Sequence, residues 1–370
     1  MASTTWQDGL RRLLRRVDAT GERVTDGFPH YGDPATGRWT TSPGGDWTGG
    51  FWNGLCWLVA HSTGEPRYRR WAQQWTERLR PRAHSDTIFR GFLFYYGALV
   101  GSVLLADPLA REVALQGAKG LAASFNPRTG VLPLGNEAVE ASEVGRGESS
   151  IDGVQGAALL VWAAQESGAP ALREMAVRHA RRHIEFCIRE DGSVCQSASF
   201  DPQTGHMLRR YTHKGVRDDS TWTRAQARAM VGYAVMHIWT QGREFLDVAM
   251  RTADWWLAHA PADRVAFWDF DAPAGPDTPR DTSGTAIAAA ALLKLAALAP
   301  EMTQRARYQA GAEATVTALV ERYLDERGLL SHGCYNERIN LATQHELIWG
   351  SYYLFEPLQV LSGALPPVQI

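Results

Sequence analysis

Two kinds of hydrophobic pattern alternate along this chain. One is apolar at nearly every position, rich in Gly and Ala, and opens behind a polar cap or a glycine turn. Trp47-Thr-Gly-Gly-Phe-Trp-Asn-Gly-Leu-Cys-Trp-Leu follows Asp46, Gly91-Phe-Leu-Phe-Tyr-Tyr-Gly follows Asp86, and similar segments open at Asp152, Asp219, Asp281 and Glu346. The later ones recur at roughly 60–70 residues, a repeat long enough for one helical hairpin. The other kind, as in Arg67–Trp75 and Leu172–His183, keeps its apolar residues at helical spacing with charge on the remaining face. Gln7–Val17 reads the same way, as an amphipathic first helix without the apolar run of a secretory signal. Helices apolar all round belong inside and amphipathic ones outside. Six of each in alternation predict an all-α fold, an (α/α)6 barrel in one domain over residues 1–370.

Strand content is expected to be low. Short β-hairpins are predicted at the mouth, near Asp191–Phe200 with a return over Gly205–Tyr211. The polar caps all fall at one end of the ring, where helix N-termini offer free N–H groups and partial positive charge to anions.

Composition narrows the classes. The 370 residues are 45% hydrophobic, and the net charge of −2 gives no reason to expect nucleic acid or an anionic membrane as a partner. No apolar run reaches the roughly 20 residues that span a bilayer. Cys56, Cys187, Cys195 and Cys334 show no CxxC pairing, which points to a reducing compartment, the cytoplasm, and away from structural zinc. His179, His183 and His206 lack a nearby carboxylate at ligand spacing. His179 and His183 read as a solvated pair on an outer helix, so no metal or cofactor is expected. Fourteen Trp, several of them near helix starts (Trp47, Trp52, Trp57, Trp222, Trp268), suit a sugar-binding cleft or a large core.

The densest chemistry lies in Thr212–Arg228, where ionisable groups crowd the entrance to the apolar helix Ala229–Met236. Asp219 and Ser220 read as caps, and Arg224 and Arg228, one turn apart, share a face. The bland alternative is a capped helix with a solvated first turn.

Eight segments stand in one order from Trp47 to Glu356: Trp47-Thr-Gly-Gly-Phe-Trp-Asn-Gly, Ser150-Ile-Asp-Gly, Arg189-Glu-Asp-Gly-Ser, Phe200-Asp-Pro-Gln-Thr-Gly, Asp218-Asp-Ser-Thr-Trp-Thr-Arg-Ala-Gln-Ala, Trp268-Asp-Phe, Asp281-Thr-Ser-Gly-Thr-Ala-Ile-Ala-Ala and Gly350-Ser-Tyr-Tyr-Leu-Phe-Glu. In these segments and their order the chain resembles the unsaturated glucuronyl hydrolases, glycoside hydrolase family 88. The resemblance implies hydration of a C4=C5 double bond in an unsaturated uronic acid. A carboxyl group protonates C4, water adds at C5, and the hemiketal opens to release the attached group. It places the acid/base on Asp152, whose plain alternative is a helix cap, and keeps Trp47, His213 and Arg224 at the site.

The departures are as telling. Lys214 stands where the family has Gln, Arg228 where it has Trp, and Gln196 near the place of a His. In His84-Ser-Asp-Thr-Ile-Phe-Arg-Gly-Phe92 the family's second Asp falls on Phe89 when anchored on Gly91-Phe92. Asp86 can serve only if about one turn is rearranged. Catalytic candidates are therefore Asp152 and Asp86. Substrate-binding candidates are Trp47, Gln196, His213, Lys214, Trp222, Arg224, Arg228 and Ser283. Ser283 and Thr285 alternatively act as caps, and His345 and Tyr352, near the last inner helix, are candidates for the pocket rim. Added cations oppose a general acid unless the substrate brings more negative charge. The leading expectation is a hydration-type glycosidase acting on a more anionic sugar or uronate. The alternatives are a biosynthetic hydratase or lyase using the same Asp on a specialised metabolite, and a non-catalytic sugar-binding barrel.

Overall fold

The computed structural model describes residues 2–138 and 145–370. In chain order it runs α1 (Ala2–Arg23), β1 (Phe28–Gly32), β2 (Trp39–Ser42), α2 (Gly49–Thr63), α3 (Pro66–Leu79), α4 (Arg90–Phe94), α5 (Val100–Leu105), α6 (Pro108–Ala123), β3 (Glu148–Ser150), α7 (Asp152–Ser167) and α8 (Pro170–Cys187). It continues with β4 (Ser197–Phe200), β5 (Met207–Tyr211), α9 (Thr223–Thr240), α10 (Arg243–His259), α11 (Thr282–Leu298), α12 (Met302–Arg322), β6 (Glu346–Leu347) and α13 (Ile348–Leu361). A π-turn over Tyr95–Leu99 joins α4 to α5 into one inner rod, and Trp57 Nε1 and Thr76 Oγ1 donate to its Gly97 carbonyl at 3.1 and 2.6 Å.

The expected double ring is present. The inner helices α2, α4–α5, α7, α9, α11 and α13 each pack on the next and close the circle. The outer helices α1, α3, α6, α8, α10 and α12 cover them. Inner helices are buried around their whole girth; in α9 and α11 the first three turns contain no exposed residue. Small residues permit this closeness. A Cβ on Gly91 of α4 would lie 2.5 Å from the Cα of Gly156 on α7, so these two rods touch backbone to backbone. That contact sets Phe89 and Asp152, each just N-terminal to it, at one mouth.

Two antiparallel three-stranded sheets decorate this mouth, ordered β2-β1-β6 and β3-β4-β5. The predicted hairpin is β4–β5, with Ser197 opposite Tyr211. Its third strand, β3, which sequence reading did not foresee, pairs Glu148 with Ser199 and Ser150 with Ser197. No described helix is long and apolar enough to cross a membrane.

His179 and His183 depart from expectation. Both are fully buried rather than solvated, because they share the inward face of α8 with Ala176 and Ala180, and Leu132 and Ser149 pack against their rings. His179 Nδ1 accepts from Leu132 N at 3.0 Å, and His183 Nε2 meets Ser149 Oγ at 3.1 Å. Burial pushes both imidazoles down, His183 to about 4, so they sit neutral in the fold.

Candidate active site

One cleft at the strand-decorated mouth gathers Trp47, Asp152, Gln196, His213, Lys214, Trp222, Arg224 and Arg228 with three further residues, Phe89, Leu134 and Ser150. Asp152 is the only carboxylate among the described lining residues, set against Lys214, Arg224 and Arg228.

Asp152 opens α7 without capping it: the N-cap position is Ile151, which makes no side-chain cap. Its Oδ2 accepts from Ser150 Oγ at 2.9 Å, and its Oδ1 lies 3.5 Å from Arg228 Nε. The carboxyl is 8% exposed as a residue, buried yet reachable from the cleft.

The i, i+4 spacing on α9 brings both arginines inward, and both are almost fully buried. Arg228 Nη1 donates to Tyr353 Oη at 3.1 Å and Gln155 Oε1 at 3.3 Å, and its guanidinium lies 4.5 Å from the Phe92 ring. Burial pushes the Tyr353 phenol up to about 12 against the pull of Arg228, so it stays a phenol and donates to Gln155 at 2.9 Å. Arg224 Nη2 donates to the Tyr335 carbonyl, its Nε is 3.6 Å from Asp281 Oδ2, and its plane stacks 4.5 Å from Trp222. Neither guanidinium is saturated. Nε and Nη2 of Arg228, and Nε and Nη1 of Arg224, are buried without a hydrogen-bond acceptor. Such groups are costly unless a ligand completes them.

Lys214 extends over three rings, its ammonium 4.6 Å from Tyr335, 5.6 Å from Trp47 and 5.7 Å from Trp222. Gln196 shapes the turn beneath it: Oε1 accepts from Thr212 Oγ1 (2.6 Å), His213 N (2.9 Å) and Lys214 N (3.3 Å). His213 Nε2 stands 3.0 Å from Oε1 of Glu148, a buried carboxylate whose Oε2 accepts from Tyr211 Oη. Asp269 braces the loop from outside the cleft, accepting from Ser220 Oγ (2.7 Å) and Val216 N (3.0 Å); its burial raises its pKa.

Several expectations need correction. Asp86 does not share the cleft with Asp152. The turn it would have to rearrange is instead held by the 134–137 segment: Asp86 Oδ2 accepts from Asn136 Nδ2 at 3.0 Å and its main-chain N donates to Glu137 Oε1 at 2.9 Å. It borders a separate surface groove with His84, Ser85 and Arg90. Phe89, and not Asp86, lines the cleft with Asp152. Ser283 is also outside: its hydroxyl donates to Asp281 Oδ1 at 2.6 Å and accepts from Trp349 Nε1 at 3.0 Å. Asp281 caps α11, whereas Asp219 is solvent-exposed and α9 begins after Trp222 with no side-chain cap. His345 and Tyr352 do not line the cleft.

Sequence reasoning missed Ser150, Leu134, Glu148, Gln155, Tyr335 and Tyr353. Ser150 and Glu148 have a usable signal, since alternate residues of a strand running into Asp152 share a face. Tyr335 sits in an irregular segment and has none.

No protein-family model matches the chain. It is 32% identical to the unsaturated glucuronyl hydrolase of Bacillus sp. (strain GL1), over 95% of this chain and 96% of that protein. It is 28% identical to the unsaturated chondroitin disaccharide hydrolase of Streptococcus pyogenes serotype M1, over 94% of this chain and 89% of that one. The crystal structure of the Bacillus sp. GL1 hydrolase superposes with a TM-score of 0.91, covering 96% of each chain. The chain therefore belongs to the unsaturated glucuronyl hydrolases, glycoside hydrolase family 88.

Proposed function

We propose that this enzyme hydrates the C4=C5 double bond of an unsaturated uronic acid, with Asp152 as the acid and base, and that its substrate is more anionic than a plain uronyl disaccharide. The observation that carries the reading is the placement of Asp152, the one described carboxylate of the cleft, against Ser150 and the incompletely bonded Arg228. The carboxyl group gives its proton to C4. Water adds at C5 and returns a proton to the carboxylate. The hemiketal so formed opens to a ketone and frees the attached alcohol.

Arg228 gives this cleft a condition on its substrate. Its guanidinium stands 3.5 Å from Asp152 Oδ1 and keeps Nε and Nη2 without a hydrogen-bond acceptor, so it is built to take up a further anion. A substrate anion that takes up the open N–H groups of Arg228 draws that charge away from Asp152. Arg224 and Lys214 provide for a second anionic group, and each charge-assisted contact supplies about 1.5–3 kcal/mol. The cavity volume is only about 20 Å³, so a ring enters as a lining side chain shifts. Four free, buried cysteines support a reducing compartment, the cytoplasm.

The test is loss of the ultraviolet absorbance of the conjugated acid across unsaturated uronides with and without a second carboxylate, sulfate or phosphate. Turnover favouring the doubly anionic glycosides is the expected result. Equal or better turnover of an unsulfated disaccharide would remove the anionic part of the reading and leave the hydration.

A further inference from the structure

We infer that the wall formed by Trp47, Phe89 and Leu134 selects a uronide ring with no free hydroxyl on its C2–C3 edge, a deoxy or O-substituted sugar. The inference rests on the hydration reading above and adds the substrate's second recognition feature.

The order of the inner helices sets the order of groups around the cleft. Trp47 precedes α2, Phe89 precedes α4, Asp152 opens α7, and Arg224 and Arg228 lie on α9, successive members of the ring. In an unsaturated uronate the carboxylate sits on C5, the proton goes to C4, and C3 and C2 follow. A carboxylate held on α9 with C4 at Asp152 therefore directs C3 toward Phe89 and C2 toward Trp47.

The side chains of Phe89 and Leu134 have nothing to offer a hydroxyl on that side. Phe89 packs on Trp47 with centroids 5.6 Å apart, and Trp47 Nε1 is engaged with Tyr335 Oη at 3.3 Å. The backbone is committed as well. Leu134 N donates to Glu148 O at 2.8 Å, Leu134 O accepts from Ile88 N at 2.9 Å, and Phe89 N donates to Thr87 Oγ1 at 3.2 Å. A hydroxyl buried there loses water and gains no partner, a discrimination of about 10- to 100-fold. The contrast with α9, whose N–H groups are open, makes the cleft two-sided: one wall for anions, one for carbon.

The experiment compares kcat/KM, by the same absorbance loss, for the methyl glycoside of 4,5-unsaturated glucuronic acid and for its 2-deoxy and 3-deoxy forms. Intrinsic reactivity differs among these, so the deciding quantity is how their ratio changes between proteins. Wild type should prefer a deoxy form by about 10- to 100-fold. Phe89→Asn should cut that preference by roughly tenfold or more, and Phe89→Leu should keep it. Phe89→Tyr, which retains the ring, serves the same purpose if the Asn variant does not fold. Preference of wild type for the hydroxylated glycoside, or a ratio indifferent to both polar substitutions, overturns the inference alone. No turnover of any glycoside, the doubly anionic ones included, removes the hydration reading and this inference with it.

Discussion

Two buried ion pairs at different places in the barrel are built on opposite plans. Lys294 on α11 and Glu356 on α13 meet at 2.7 Å, and the ammonium also donates to the main-chain oxygens of Ile370 (2.7 Å) and Pro367 (3.2 Å). Three acceptors satisfy three N–H bonds, and the site is closed. Arg228 and Asp152 are as deeply placed but stand 3.5 Å apart, with Nε and Nη2 of the guanidinium lacking any acceptor. A buried pair repays its desolvation only with good geometry and saturated partners. Lys294–Glu356 meets that condition; Arg228–Asp152 does not, and its incomplete bonding is what a ligand can complete. Of two similar charge pairs, the poorly satisfied one marks the site.

The sharpest way to break the comparison is to neutralise one member of each. Asp152→Asn should lower kcat on any unsaturated uronide by about 10²–10⁴-fold, the usual range for a lost general acid. Its circular dichroism and unfolding midpoint should stay near wild type, because the pair it removes was never closed. A variant keeping more than about a tenth of the wild-type rate would place the proton donor elsewhere.

Lys294→Met should do the reverse. Removing one partner strands a buried carboxylate, at a cost of about 3–5 kcal/mol by urea unfolding, with kcat/KM unchanged below the new transition. The double variant Lys294→Met/Glu356→Leu should recover most of that loss. If the single variant costs under about 1 kcal/mol, the pair is not the closed site described.

His179 and His183 show a third solution to burial, neutrality in place of pairing, and it gives a pH test. The folded pKa of each is depressed and the unfolded value is near 6.5, so their stabilisation is complete above pH 6.5 and is lost as pH falls below it, for His183 through about 4. For His183 alone the loss reaches about 3 kcal/mol. Asp269 and Glu346, pushed up by burial, act with the opposite sign: their contribution is lost as pH rises through their folded values. The measurement is therefore a difference, urea stability at pH 7 minus pH 5, in wild type and His183→Gln. The variant's slope should be shallower by about 2 kcal/mol, and an unchanged slope would mean that the imidazole is not held neutral.

These contrasts also show what the sequence could and could not disclose. The ring of helices was legible because burial on all sides and burial on one side leave different periodicities, as in Ala229–Met236 against Arg67–Trp75. Arg224 and Arg228 were placed together by helical geometry alone. Asp86 misled because its position depends on how a non-helical turn is pinned, here by Asn136 and Glu137, some fifty residues away, and no local pattern encodes that. Asp219 misled for a related reason: a polar residue three positions too early reads as a cap when the helix start is set by the bridge between Trp222 and Asp269. Saturation is likewise invisible in sequence. Nothing in the order of residues tells Lys294, with all its N–H bonds used, from Arg228, with two nitrogens open.

The smallest expected effect falls on Asp86, and it separates a carboxylate near the mouth from one in the cleft. Its Oδ2 is engaged with Asn136 through both the side-chain amide and the main-chain N, at 3.0 and 3.3 Å, and it faces a groove apart from Asp152. Asp86→Asn keeps the side chain's shape and an acceptor oxygen, so the turn should lose no more than about 1 kcal/mol, the scale of one hydrogen bond. Because no part of Asp86 lines the cleft, kcat/KM should stay within about twofold of wild type, well short of the loss that follows removal of a catalytic acid or base. Steady-state kinetics on the best glycoside found, together with urea unfolding, check both halves. A fall of a hundredfold in kcat with stability intact would show that the 84–90 turn swings inward on binding and delivers a second carboxylate. The cleft would then have two acids, and the apolar wall around Phe89 would have to open to admit one of them.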